Sequence, residues 1–268
     1  MKGLWSSIEN GSERIQVGMT RRLAVLGSPI AHSKSPQIQL AALSQLGERA
    51  SFERIEVKDL AEWLPKHGDQ FDALSLTMPL KEQAKALADS VDDLVVQTSS
   101  ANYLLRENDS LRAFNTDVFG LSASASRHTF ESVAILGTGA SARSALVAFS
   151  DFKPSIWGRD TTKARALEEA YGCQLVALEH ALDADLVIST LPGDALLALA
   201  GEKHPGLLFD IIYSRPVPGG FAGYIPGIHM LIWQAIGQLR LLLTGGDIPL
   251  PDEKSLFQLM LDAAELAE

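Results

Sequence analysis

The chain has 268 residues, of which 46% are apolar and 21% are charged, and this composition is that of a folded globular protein rather than a disordered chain. Its formal net charge of −10 disfavours nucleic acid and anionic membranes as partners, because both would be repelled. The single cysteine, Cys173, cannot form an internal disulfide, and the six histidines lack metal-ligand spacing, so we expect no metal.

The first 22 residues precede the first predicted strand and are interpreted as an N-terminal extension. They lack the basic, apolar and small-residue zones of a signal peptide, and no run of eighteen apolar residues occurs in the chain. We therefore expect a cytoplasmic protein that does not bind membranes.

The first half of the chain alternates strands and helices. Its predicted elements are strands at 23–26, 51–55 and 73–77, helices at 36–46, 58–66 and 81–89, and two strands at 101–105 and 111–114 that form a hairpin. Gly47 suits the C-terminal end of the first helix and Ser35 its N-cap. Such alternation implies a mostly parallel sheet.

A glycine-containing turn begins near the middle of the chain. The strand Val133–Leu136 leads into Gly137-Thr138-Gly139-Ala140-Ser141-Ala142 and then into an apolar helical stretch. Gly137 permits a tight turn, Gly139 lets the backbone approach a pyrophosphate, and Ala142 allows the helix to pack closely on the strand. We predict a dinucleotide-binding turn. Because it comes so late, substrate recognition is expected upstream of it.

The residues after the next strand, Ser155–Trp157, bear on the choice of cofactor. An acidic residue here usually holds the ribose 2′-hydroxyl of NAD, whereas Arg and Lys favour the 2′-phosphate of NADP. Arg159 and Lys163 lie four apart and can reach one phosphate, while Asp160 can cap the helix that follows. We favour NADP. NAD stays open if Asp160 points at the ribose, and so does a merely solvated helix start.

The second half continues with strands at 185–190 and 207–212. Two apolar helical segments, 230–243 and 253 to the end, have no strand of their own and are expected to return to the first domain. We predict an α/β protein of two domains. Residues 23–117 with 229–268 form a substrate-binding and catalytic domain with a mostly parallel sheet, and residues 118–228 form a Rossmann-type NADP-binding domain.

Polar residues follow the predicted strands of the first domain, where the ends of parallel strands share one edge of the sheet. They are Ser33, Ser35, Thr77 and Lys81, with Asn102 and Asp117 added from the hairpin region. A lysine at the head of a helix is electrostatically unfavourable, so Lys81 indicates an anionic partner. Asp117 is the candidate.

Three segments resemble the shikimate dehydrogenase signature in residues, order and spacing: Gly27-Ser28-Pro29-Ile30-Ala31-His32-Ser33-Lys34-Ser35-Pro36, Ser75-Leu76-Thr77-Met78-Pro79-Leu80-Lys81 and Asn115-Thr116-Asp117. The resemblance runs from Leu23 to the last helix, with Gly227-Ile228-His229-Met230-Leu231-Ile232-Trp233-Gln234 as its C-terminal landmark. It implies reversible NADPH-dependent reduction of 3-dehydroshikimate to shikimate, in the biosynthesis of chorismate and the aromatic amino acids.

The resemblance also implies roles for individual residues. Lys81 and Asp117 would be the catalytic pair, with Lys81 supplying a proton to the alkoxide that hydride transfer creates and Asp117 mainly orienting the pair. The implied substrate contacts are Ser33, Ser35, Thr77, Asn102, Asp117, Tyr213 and Gln234. The implied cofactor contacts are Gly137, Thr138, Gly139, Ala140, Ser141, Arg159, Lys163, Ile211 and Gly227. A monomer and a homodimer both stay open.

Three segments depart from the family pattern. The usual Gly-Ala-x-Asn-Thr is Ser99-Ser100-Ala101-Asn102-Tyr103, so a bulky Tyr103 alters the choice of ring substrate if it faces the cleft and changes nothing if it faces the sheet. The usual Tyr-x-Pro-x-x-Thr is broken at 213–218, with a shortened stretch to Gly227. The usual Asn-Arg-Thr reads Gly158-Arg159-Asp160.

Three other functions are compatible with parts of the sequence. An NAD-dependent quinate/shikimate dehydrogenase follows if Asp160 holds the ribose. A non-catalytic sensor is disfavoured because binding alone would not need Lys81 beside Asp117. An NADP enzyme acting on a folate is disfavoured by the paired serines and by Asn115-Thr116-Asp117.

Overall fold

The computed structural model describes residues 20–193, 195–196, 203–214, 216 and 219–266. The strands of the first half are β1 (Arg21–Gly27), β2 (Ala50–Glu56), β3 (Ala73–Leu76), β4 (Ser90–Val91), β5 (Tyr103–Glu107) and β6 (Ser110–Phe114). Its helices are α1 (Ser35–Gln45), α2 (Leu60–His67), α3 (Lys81–Leu87) and α4 (Asp93–Thr98).

These six strands form one sheet in the order β2-β1-β3-β5-β6-β4. Strands β1, β2 and β3 are parallel, and β5 is antiparallel to both β3 and β6, which confirms the mostly parallel sheet and the hairpin. Because β1 and β3 run side by side in the same direction, the loops that follow them lie at one edge. Those loops carry Ser33 and Thr77, and Ser35 begins the helix that follows the first of them.

The strands of the second half are β7 (Val133–Leu136), β8 (Ser155–Trp157), β9 (Gln174–Leu175), β10 (Leu186–Ser189), β11 (His204–Asp210) and β12 (Phe221–Pro226). The helices that complete the described chain are α5 (Asp117–Ala125), α6 (Ala140–Ala148), α7 (Thr161–Tyr171), α8 (Leu178–Leu182), α9 (Gly227–Thr244) and α10 (Glu253–Glu265).

The second sheet has the order β12-β11-β10-β7-β8-β9, and all its strand pairs are parallel. The strand order reverses between β7 and β10, which is where doubly wound sheets bind dinucleotides. Gly137 directly follows β7 and has φ +126°, a backbone conformation that residues with a side chain rarely adopt. The predicted Rossmann-type architecture is confirmed.

Helices α9 and α10 return to the first sheet, as the sequence predicts. Ile232, Ile236 and Leu239 of α9 lie in one core with Ile38 of α1 and Met260 of α10. Helix α5 crosses α9 closely at Gly120, where a Cβ would lie 2.9 Å from the Met230 carbonyl oxygen. The predicted domain limits fall at the first residues of α5 and α9, and they stay a prediction.

Several local predictions need correction. Strand β1 begins at Arg21, so the last two residues of the predicted extension pair with β2, while residues 1–19 lie outside the described residues. Lys34 rather than Ser35 is the N-cap of α1, because Ser35 already has helical geometry. Gly47 follows that helix with φ +77°, as predicted. None of the described helices is long and apolar enough to span a bilayer.

Candidate active site

Lys81 and Asp117 form an ion pair between two helix N-termini. The Lys81 Nζ lies 2.6 Å from the Asp117 Oδ2, and the two side chains are 16% and 4% exposed. Lys81 begins α3 and Asp117 begins α5. A cation is unfavourable at the first end of a helix and a carboxylate is favourable there, so Asp117 offsets the poor placement of Lys81.

Asn102 holds the second oxygen of this carboxylate. Its Nδ2 donates to the Asp117 Oδ1 at 2.8 Å, and its Oδ1 accepts from the backbone N–H of Thr116 at 2.8 Å. Asn102 is 2% exposed. Each carboxylate oxygen of Asp117 therefore has its own donor, which fixes the plane of the group.

A chain of buried amides continues from Asn102 into the first domain. The Asn102 Nδ2 lies 3.1 Å from the Gln234 Oε1, and the Gln238 Nε2 donates to that same oxygen at 2.8 Å. The Gln238 Oε1 accepts from the Ser75 hydroxyl and from the Gln39 Nε2, each at 2.8 Å. No motif in the sequence predicted that Gln39, Ser75 and Gln238 belong to this network. Only the position of Gln238, four residues after Gln234 on one helix, could have indicated its place.

All the predicted substrate residues line one cavity of about 470 Å³ between the two sheets: Ser33, Ser35, Thr77, Asn102, Asp117, Tyr213 and Gln234, with Lys81. Tyr213 comes from the loop after β11. Burial raises the pKa of its hydroxyl, and a hydrogen bond with the Lys34 backbone partly opposes this rise. The cavity therefore takes residues from both halves of the chain.

Tyr103 does not reach this cavity. It is 2% exposed and packs in the core that α1, α9 and α10 form, and burial raises the pKa of its hydroxyl well above its usual value. It lies in the same core as Ala73 and Leu105, and it is not among the residues that line the cavity. Of the two alternatives for Tyr103, the one in which it leaves the pocket unchanged is confirmed.

A second cavity of about 570 Å³ lies along the dinucleotide-binding turn. It is lined by Gly137, Thr138, Gly139, Ala140, Ser141, Arg159 and Lys163. Gly139 is the N-cap of α6 and caps it with no side chain, and a Cβ there would point into open space. The residues fit a pyrophosphate, since the first N–H groups of α6 have no side chain in front of them.

Asp160 caps helix α7, as one interpretation of the sequence expects. Its Oδ1 accepts from the Lys163 backbone N–H at 3.1 Å. Arg159 and Lys163 have exposed side chains on the same cavity. The cap explains Asp160 without a ribose contact. The Asp160 Oδ2 also lies 3.9 Å from the Lys163 Nζ, but both side chains are largely exposed, so this pair is weak and Lys163 can turn to a phosphate beside Arg159.

The two cavities adjoin each other. Six residues line both of them: Thr77, Met78, Lys81, Ser141, Thr190 and Pro192. Ile211 and Gly227, which the resemblance assigns to the cofactor, line the 470 Å³ cavity and not the cavity along the turn. Lys81 thus stands where a nucleotide and a second ligand would meet.

Comparison with known proteins agrees with this geometry. A family model described as the shikimate dehydrogenase substrate binding domain matches residues 25–104. A shikimate dehydrogenase (NADP(+)) of Thermus thermophilus is 32% identical, and the match covers 86% of this chain and 94% of that protein. The corresponding enzyme of Oleidesulfovibrio alaskensis is 29% identical over 87% and 92% of the two chains.

Solved structures match over nearly the whole chain. The Thermus thermophilus shikimate 5-dehydrogenase in complex with NADP(H) and shikimate has a TM-score of 0.78 and 28% identity, and covers 91% of this chain and 100% of that chain. The Mycobacterium tuberculosis shikimate dehydrogenase has a TM-score of 0.79 and 29% identity, and covers 92% and 99%.

The fold and the site together define a two-domain oxidoreductase whose nucleotide cleft opens onto a polar substrate cavity. The chain belongs to the shikimate dehydrogenase family.

Proposed function

We propose that this protein is an NADP-dependent shikimate dehydrogenase, which reversibly reduces 3-dehydroshikimate to shikimate. The observation that carries the proposal is the Lys81–Asp117 pair at the junction of the two cavities. A nicotinamide in one cavity and a ring ketone in the other would both lie beside an ammonium group.

The cofactor would be held by residues of the second half of the chain. The first turn of α6 would receive the pyrophosphate, and Arg159 and Lys163 would bind the 2′-phosphate that distinguishes NADP from NAD. When bound, NADPH supplies the hydride that reduces the ring ketone. Local positive groups matter here, because the net charge of −10 repels an anionic cofactor.

Lys81 would supply the proton that accompanies this hydride. As the carbonyl carbon gains the hydride, its oxygen becomes an alkoxide, and the Lys81 Nζ donates a proton to that oxygen. In the reverse direction, neutral Lys81 takes the proton from the hydroxyl of shikimate. Asp117, which Asn102 holds in turn, would keep the Lys81 amino group in place in both directions.

The remaining residues of the substrate cavity would bind the ring substituents. We assign the hydroxyls of Ser33, Ser35, Thr77 and Tyr213 and the amides of Asn102 and Gln234 to the carboxylate and hydroxyl groups of shikimate. We also propose the domain limits 23–117 with 229–268 and 118–228, and a cytoplasmic enzyme of chorismate biosynthesis.

A panel of two substrates and two cofactors tests the proposal. Purified enzyme is assayed at 340 nm with shikimate and quinate, each with NADP and NAD. We expect the highest kcat/KM with shikimate and NADP. A preference for NAD would overturn the cofactor assignment, and a preference for quinate would overturn the substrate assignment.

A further inference from the structure

Helix α6 contacts the segment that carries Lys81. The Arg143 Nη2 lies 2.5 Å from the Oε1 of Glu82, which follows Lys81 in the first turn of α3. The Arg143 Nε donates at 2.6 Å to the carbonyl oxygen of Thr98, the last residue of α4. One planar guanidinium, 15% exposed, therefore joins α6 to two helices of the other half of the chain.

The next residue of α6 contacts the segment that carries Asp117. The Asn115 Nδ2 donates to the Ser144 Oγ at 3.1 Å, and the Asn115 Oδ1 accepts from the Asp117 backbone N–H at 3.0 Å. Ser144 is fully buried and Asn115 is 2% exposed. Water cannot readily replace these hydrogen bonds, so their geometry is fixed.

We propose that Arg143 and Ser144 are positioning residues for the reaction, because they hold the neighbours of Lys81 and Asp117 against the helix that binds the cofactor. The inference rests on the proposed function. The first turn of α6 lines the nucleotide cavity. Farther along the same helix, Arg143 contacts Glu82 beside Lys81, and Ser144 contacts Asn115, which holds the Asp117 backbone. A shift of α6 would thus move the cofactor relative to Lys81.

The contacts are better suited to positioning than to stability. Glu82 is 61% exposed, and a pair with one exposed partner adds little to folding free energy. Reaction rates are far more sensitive, since a misplacement of about 1 Å can cost about 10²-fold. A third contact, from the Tyr171 hydroxyl of α7 to the Gln97 carbonyl oxygen at 2.8 Å, docks the same end of α4.

Kinetics of four variants test the proposal: Arg143→Met, Arg143→Lys, Ser144→Ala and the control Arg165→Met, an exposed arginine of α7. We expect Arg143→Met and Ser144→Ala to lower kcat by about 10-fold or more, with the affinity for NADPH, measured by its fluorescence, changed less than about 2-fold. Arg143→Lys should restore part of kcat, and Arg165→Met should change nothing. Unchanged kcat in both test variants, or a loss of NADPH affinity that accounts for the whole defect, would overturn the proposal.

Hydrogen exchange gives a readout that needs no substrate. Amides of residues 81–84 and 115–118 should exchange faster in Arg143→Met and Ser144→Ala than in the wild-type protein and in Arg165→Met, at a temperature where all four proteins are folded. Unaltered exchange would also overturn the proposal. If the wild-type enzyme did not oxidise shikimate, the proposed function would fail while exchange still decided whether these contacts hold the two segments.

Discussion

Replacing Asp117 with asparagine changes one atom of the ion pair and removes its negative charge. In the native site the two carboxylate oxygens face two donors, the Lys81 Nζ at 2.6 Å and the Asn102 Nδ2 at 2.8 Å. An asparagine has only one oxygen, so its NH₂ group must face one of these donors. Because the Asn102 Nδ2 also has the Gln234 Oε1 as an acceptor at 3.1 Å, either Lys81 loses the acceptor on Asp117 or Asn102 loses one of its acceptors.

The size of the effect follows from the hydrogen bond that is lost. Hydrogen bonds to charged groups contribute about 1.5–3 kcal/mol, and the upper part of that range applies to a carboxylate that is 4% exposed. At about 1.4 kcal/mol for each factor of ten, the upper end of this range corresponds to about 10²-fold in kcat. A positioned general acid contributes about 10²–10⁴-fold to the rate, and the estimate from the lost hydrogen bond lies at the lower end of that range.

Steady-state kinetics with shikimate and NADP measure the effect. Asp117→Asn and Lys81→Ala should each lower kcat by at least about 10²-fold. Glu62→Gln serves as the matched control, because Glu62 pairs with Lys66 on the surface at 3.0 Å, where the side chains are 73% and 60% exposed. Near-normal turnover in either site variant would refute the assignment of the catalytic pair.

Three further changes separate structural from functional roles. Tyr103→Phe should leave kcat/KM for shikimate within about 2-fold, because the ring lies in the core, and a change of substrate preference would contradict this. Tyr103→Ala should lower the free energy of unfolding, measured in urea, by about 3–5 kcal/mol. Asp160→Ala should lower the free energy of unfolding by about 1 kcal/mol through loss of the helix cap, and Asp160→Asn should lower it much less. Both variants should keep the preference for NADP, and a gain of NADP affinity relative to NAD would instead indicate that Asp160 faces the ribose. Burial raises the pKa of Glu253, but hydrogen bonds from Arg240 and the Leu250 backbone, together with the charge of Arg240, lower it by more, so the net pKa lies below its usual value. The wild-type protein therefore gains stability above the pKa of the unfolded chain and loses it as pH falls through the lower, folded-state pKa, whereas Glu253→Gln should lack this loss when unfolding is followed from pH 7 downward; parallel profiles would exclude the pair as its source.

Residues whose role depends on local backbone geometry were predictable. Gly137 ends its strand in a conformation that favours glycine, Gly47 closes its helix, and Asp160 caps another, and each of these follows from a few neighbouring residues. The short strands β4 and β9, with two residues each, carry too little pattern to be seen in the sequence. The strand β12 was missed for a different reason, because it follows a segment where the family pattern breaks down.

Residues whose role depends on distant contacts were not predictable from local pattern. Gln39, Ser75 and Gln238 come from α1, β3 and α9. Gln238 has one local indication, its position four residues after Gln234, and nothing near Gln39 or Ser75 in sequence distinguishes them from other buried polar side chains. Tyr103 had two possible orientations, and only the packing of α1, α9 and α10 on the assembled sheet shows that it lies in the core. Arg143 directly follows the dinucleotide-binding turn, whose pattern accounts for the residues before it and not for the contact of Arg143 with Glu82.

Periodicity and turn chemistry are local properties, so they sufficed to predict two α/β halves, the turn that receives a dinucleotide, and the polar groups at the strand ends. The tertiary structure decided which of those groups meet. Lys81 and Asp117 are 36 positions apart and begin different helices, and they form an ion pair only because β3 and β6 end at the same edge of one sheet. Thr77 and Lys81 of this edge also line the nucleotide cleft, which is a matter of packing that no stretch of sequence records alone.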